Sequence, residues 1–181
     1  MRKGNSVVFF FSVAALFIPV AFFSQQDRRG LVVPGDAPPL IKACAEGDVG
    51  KALVHVEEGS DINAPDSNGA SPLMWAAASG NLELVRLLFT KGADPLKKGI
   101  INWEKDEGYA GSPVAAAACR DNWDIVFFLL REAGIGVDDV ETGREEDGES
   151  GWTALFYAST NGRHSEAREL IRLGADTEFR D

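Results

Sequence analysis

The chain has 181 residues, 45% of them hydrophobic and 25% charged, and a net charge of −10. That length allows one compact domain beside a short appendage, and the acidic balance disfavours a nucleic-acid partner, whose phosphates would be repelled. Two cysteines outside any C-x-x-C and two isolated histidines exclude a disulfide framework and any Cys/His metal site of recognisable spacing.

Residues 1–24 form a physical class of their own. Arg2 and Lys3 precede Val7–Phe23, an apolar run without a charge, interrupted only by Ser12 and Pro19. A helix of ~18 residues rises ~27 Å and can span a bilayer core, so the run is expected to be an N-terminal hydrophobic helix that meets the membrane through residues 7–23. Two fates are open, an uncleaved signal anchor or a cleaved signal peptide. Cleavage after Ser24 would put Phe22 at the −3 position, and cleavage after Ala21 would put Pro19 there. The basic start keeps the N-terminus in the cytoplasm, which places the rest in the periplasm or the extracellular space. Residues 25–39, with Pro34, Pro38 and Pro39, read as a stiff linker.

From Leu40 the chain repeats itself. LIKACAEGD from Leu40 answers LMWAAASGN from Leu73, and SPLMWAAASGN from Ser71 recurs at equal intervals as SPVAAAACRDN from Ser112 and TALFYASTNGR from Thr153. Each copy opens on a short small-residue helix, turns, and continues into a second apolar helix. The boundaries fall at 40–65, 66–98, 99–139 and 140–181. Ser71 can cap the first helix while Pro72 occupies its first turn, where a missing N–H costs nothing. Val85, Leu88 and Phe89 make one stripe on the second helix, matched by Val126, Leu129 and Leu130, then by Ala167, Leu170 and Ile171. Gly92 supplies the left-handed stop.

The stretch Ser71–Asp94, SPLMWAAASGNLELVRLLFTKGAD, resembles the ankyrin repeat, with its T-P-L-H-x-A core and G-A-D close. The resemblance covers residues 40–181 and implies an all-α, helix-turn-helix solenoid with hairpin loops. Such a stack offers docking surface instead of a reaction centre. Several departures from the pattern carry expectations. Met74, Ala115 and Phe156 replace the family's His, which predicts less rigid hairpins. Asp121 stands where Gly80 and Gly162 stand, and Ala133 where Gly92 stands, so the third repeat is expected to be distorted. The first repeat lacks hairpin residues and the fourth has a polar second helix; both read as end caps.

Carried over position by position, the family's groove falls on Ala78 and Ser79, Cys119 and Arg120, and Thr160 and Asn161. Trp152 would project from a hairpin. The insertion that starts at Lys97 adds Trp103 and Tyr109 as partner contacts. A second insertion, Asp138–Glu149, holds seven acids and the single base Arg144, a rim suited to a neutral or basic protein partner. Cys44 and Cys119 lie in the first helices of repeats one and three, ~20 Å apart at ~10 Å per unit, too far to bridge. No Gly-rich phosphate loop, H-E-x-x-H or G-x-S-x-G occurs, so neither an enzyme nor a cofactor is expected. The likeness to small exported or membrane-anchored bacterial ankyrin proteins implies a protein–protein interaction module. Alternatives are a structural scaffold of an envelope complex, an immunity-type inhibitor of a basic toxin or enzyme, and a redox role for Cys119.

Overall fold

Each Ser-Pro or Thr signal starts a short helix, and each apolar stripe that follows makes a second. The computed structural model describes residues 31–104, 107–138 and 153–177, with the backbone alone at 102–104 and 107–110. In chain order these residues form α1 (Pro39–Glu46), α2 (Val49–Glu57), α3 (Pro72–Ser79), α4 (Leu82–Thr90), β1 (Gly99–Glu104), β2 (Glu107–Gly111), α5 (Pro113–Ala118), α6 (Trp123–Glu132), α7 (Ala154–Thr160) and α8 (His164–Arg172). The described helices pair as α1–α2, α3–α4, α5–α6 and α7–α8; the inner members α1, α3, α5 and α7 stack in sequence, as do the outer α2, α4 and α6. The helical solenoid expected from the repeats is therefore present.

Side chains start the helices as the sequence predicts. Ser71 Oγ accepts the Met74 N–H at 3.3 Å, Ser112 Oγ that of Ala115 at 3.5 Å, and Thr153 Oγ1 that of Phe156 at 3.3 Å. The inner layer is the driest: Pro72–Ala78 of α3 and Pro113–Ala118 of α5 are buried throughout. Alanine permits this because it projects nothing beyond Cβ to hold neighbouring helices apart. The outer stripe buries Leu84, Val85 and Leu88 on α4 and Ile125, Val126 and Leu129 on α6. At the two ends of the stack, α2 buries only Ala52 and α8 only Leu170.

The turn between inner and outer helix is left-handed in every repeat, with φ of 69° at Gly47, 81° at Gly80, 66° at Asp121 and 67° at Gly162. A residue with a Cβ costs roughly 1 kcal/mol there. Asp121 offsets that cost with its carboxylate, which accepts the Trp123 indole N–H at 2.5 Å and the guanidinium of Arg163. The third repeat thus keeps the turn of the others, but its inner helix α5 has 6 residues where α3 has 8. Gly134 comes one residue late because α6 has 10 residues where α4 has 9, and its φ of 64° ends the helix as Gly92 ends α4.

Two further expectations need correction. Residues 31–38 do not behave as a linker; they are the hairpin of the first repeat, held by Ala37 N–H to Pro34 O at 3.0 Å and Lys42 Nζ to Gly35 O at 3.0 Å. Ala37 is buried as Ala70 is, and Leu31 and Val33 pack on the core. The insertion after Lys97 departs from the all-α expectation: β1 and β2 pair antiparallel, with Ile101 opposite Tyr109 and a bulge between Asn102 and Glu104. In the second repeat the absent His is replaced by a different tie. Asp66 accepts the Asn68 and Ala70 N–H groups, both at 2.9 Å, and the Trp75 indole N–H at 2.8 Å. The hydrophobic run 7–23, linker residues 25–30, Trp152 and the acidic stretch beyond Asp138 lie outside the described residues. Among those described, no helix is long and apolar enough to cross a membrane.

Candidate protein-docking surface

The last turn of each inner helix reaches the same edge of the stack, and there the residue types change from alanine to polar. Ser79, Arg120 and Asn161 are evenly spaced in the chain and sit at equivalent places where α3, α5 and α7 end, so they form one half-buried row. Glu46, the counterpart of Ser79 in the first repeat, opens that row, its carboxylate 2.7 Å from Lys51 Nζ. The repeat spacing could have revealed it from the sequence.

The neighbouring row behaves differently along its length. Ala78 is 2% exposed and is enclosed by the stacking of α1 and α5 about α3, so it belongs to the core and offers a partner no surface. Cys119 and Thr160 are half-buried, and each returns its donor to its own helix: Cys119 Sγ to Ala116 O at 3.4 Å, Thr160 Oγ1 to Phe156 O at 2.9 Å. Ser79 Oγ does the same to Ala76 O at 2.8 Å. The hydroxyl lone pairs of Thr160 and Ser79 remain as acceptors. Asn161 Oδ1 is buried and accepts no hydrogen bond, the one such side-chain atom found among the described residues.

The insertion hairpin lies at the opposite end of the inner helices, where α3 and α5 begin. Ile100 N–H donates to Asn68 O at 3.1 Å, which joins β1 to the preceding hairpin turn, and the strands also meet α3 and α5. Trp103 lies in the bulge of β1 and Tyr109 on β2, so both predicted contacts belong to this one hairpin. Ile101 is buried. Leu96, 59% exposed, and Ile100, 40% exposed, are apolar groups at the base of the hairpin. The positions equivalent to Trp152 in the other repeats, Ala37, Ala70 and Gly111, are all buried.

Nothing here resembles activated chemistry. Burial pushes the thiols of Cys44 and Cys119 up to about 12, and both are free. A thiol that stays protonated at pH 8 is a poor nucleophile. Iodoacetamide at pH 8 is therefore expected to leave both unmodified in the folded protein and to label both in denaturant; rapid labelling of Cys119 alone, followed by mass spectrometry, would count for a redox role. Among the described residues, no group of three or more His, Cys, Asp or Glu converges to hold a metal ion.

Residues 16–99 match the family described as Ankyrin repeats (3 copies), and residues 150–181 match Ankyrin repeat. The chain is similar to human DNA-binding protein RFXANK, 38% identical over 61 residues, which is 33% of this chain and 24% of that protein. It is 41% identical to mouse Ankyrin repeat family A protein 2 over 51 residues, 28% of this chain and 16% of the relative. A third likeness, at 29% over 144 residues, is to glycerophosphocholine phosphodiesterase gde1 of Schizosaccharomyces pombe; it takes in 78% of this chain but 11% of that enzyme. The chain thus spans a quarter or less of the length of each of these relatives.

Proposed function

We propose, since the chain belongs to the ankyrin-repeat family, that it is a non-catalytic module that binds one protein partner through Ser79, Arg120, Thr160 and Asn161 at one end of the inner helices and through the insertion hairpin with Trp103 and Tyr109 at the other. Members of this family are generally non-catalytic binding modules, and protein partners are what its repeats imply. The observation that carries the reading is the row of half-buried polar residues in register across three repeats, with apolar Leu96 and Ile100 exposed at the base of the hairpin. A surface with apolar anchors and a polar rim is what protein interfaces use. The net charge of −10 favours a neutral or basic partner over nucleic acid.

A photocrosslinking amino acid at Ser79 or Arg120 should yield one discrete protein adduct in the producing cell, while the same group at Glu83, exposed on the outer helix α4, should yield none. Adducts from Glu83 alone, or from no position, would overturn the reading.

The uncharged run Val7–Phe23 supports tethering to, or export across, a membrane, with the repeats in the periplasm or extracellular space. The intact mass of the protein recovered from membranes tests the anchor against cleavage, and recovery in the soluble fraction at full mass would remove both.

A further inference from the structure

Successive repeats in this stack are clasped by side chains, and the chemistry of the clasp changes at the last junction. Between repeats one and two, Asn81 Nδ2 donates to Gly47 O at 2.8 Å; between two and three, Asn122 Nδ2 donates to Ala77 O at 2.9 Å. The equivalent residue in the fourth repeat is Arg163, whose Nε donates to the Asp121 carboxylate at 2.7 Å. The loop layer changes in parallel. Asn63 Oδ1 accepts the Asp94 N–H at 2.8 Å, whereas Asp138 accepts the Asp176 N–H at 3.0 Å.

The outer layer follows the same shift. On α6, Phe128 stacks edge-on to Phe89 of α4 at 5.8 Å, beneath the Arg86 guanidinium. The residue at the equivalent place in the fourth repeat is Glu169, which meets Arg131 of α6 at 2.7 Å and also holds Arg172 of its own helix. Asp138 and Glu169 thus occupy places that an amide and a phenyl ring occupy at earlier junctions, and Asp121 stands where the other repeats have the turn glycine. Leu170 is the one buried residue of α8.

We propose that the fourth repeat is a salt-releasable unit: α7 and α8 undock from the third repeat as a body when ionic strength rises, while the first three repeats stay folded. Charge pairs at a surface are screened as the Debye length falls from ~10 Å at 0.1 M salt to ~3 Å at 1 M, and bonds between neutral amides and carbonyls are not. A solenoid can open at one end because each unit contacts only its neighbours. Opening uncovers the face of α5 that meets α7, and it removes Thr160 and Asn161 from the polar row while Ser79 and Arg120 remain.

Hydrogen exchange of the full chain, followed by mass spectrometry in 0.05 M and 1 M sodium chloride, tests this. Peptides from α7 and α8 should exchange about tenfold faster at high salt, and those from α3 and α4 less than about twofold faster. Asp121→Gly with Arg163→Asn rebuilds the amide clasp of the earlier junctions and should remove most of that acceleration. Arg131→Gln, which leaves the left-handed turn untouched, should by itself speed α8 exchange severalfold at low salt. Exchange of α7 and α8 that ignores salt, acceleration shared equally by α3 and α4, or an unchanged Arg131→Gln protein would each overturn the proposal.

Discussion

Asp66→Ala is expected to lower the unfolding free energy by about 3 kcal/mol, with a fall of roughly 10 °C in the thermal midpoint. The carboxylate is buried, and its two oxygens serve three donors: Asn68 N–H, Ala70 N–H and the indole of the fully buried Trp75. Alanine leaves those donors facing an apolar interior, and each buried donor without a partner costs on the order of 1–3 kcal/mol. The hairpin turn closes on the same residue, since Asp66 N–H donates to Ala70 O at 3.0 Å and Asp66 O accepts from Gly69 N–H at 3.0 Å. Asp66→Asn separates the contributions. Its one oxygen can still serve the two loop amides, but its NH2 then faces the Trp75 N–H, donor against donor, so about half of the loss should remain. Urea denaturation monitored by tryptophan fluorescence measures both. An Ala variant within about 1 kcal/mol of the parent would show that water replaces the carboxylate at little cost.

The second large effect concerns the attachment of the insertion hairpin. A Cβ on Gly99 would lie 2.4 Å from Ala70 N and 2.4 Å from the carbonyl carbon and oxygen of Gly69. These are backbone atoms that no rotamer change can move, so Gly99→Ala must push β1 off the neighbouring turn. Overpacking of this kind costs about 2 kcal/mol. The Ile100 N–H bond to Asn68 O breaks with it, and buried Ile101 is drawn out of the core. Faster hydrogen exchange at Ile100 and reduced capture of the partner by the hairpin are the expected signs. Gly35→Ala is the control: nothing lies within 4 Å of its added Cβ, and its stability should stay within about 0.5 kcal/mol of the parent.

Much of the helical framework could be read from the chain because its signals are local. A Ser or Thr cap, a proline in the first turn of three inner helices and an i, i+3, i+4 stripe lie close together along the chain, and the equal spacing of Ser71, Ser112 and Thr153 then places the copies in register. What escaped notice depends on partners distant in sequence. The αL turn at Asp121 looks like a defect until Arg163, 42 residues away, supplies the guanidinium that holds it. The strands of the insertion are short and carry no Asn-Gly or Asp-Gly turn, and one of their anchoring bonds is to Asn68 in the preceding repeat. The first hairpin was hidden by composition: Pro34, Pro38 and Pro39 suggest a linker, yet Ala37 precedes Leu40 as Ala70 precedes Leu73 and is just as buried. Of the proposed contacts, Ala78 was misplaced for a packing reason. A residue small enough to sit in a groove is also small enough to be sealed between stacked helices.

The insertion is pinned at both feet, by Gly99 seated on Gly69 and Ala70 and by Ser112 capping α5. A change in the length of the hairpin therefore leaves the helices beneath in place, since both feet are fixed to the stack. The same anchorage turns the hairpin into a natural grafting position, one that evolution or an engineer can rewrite while the stack keeps its shape.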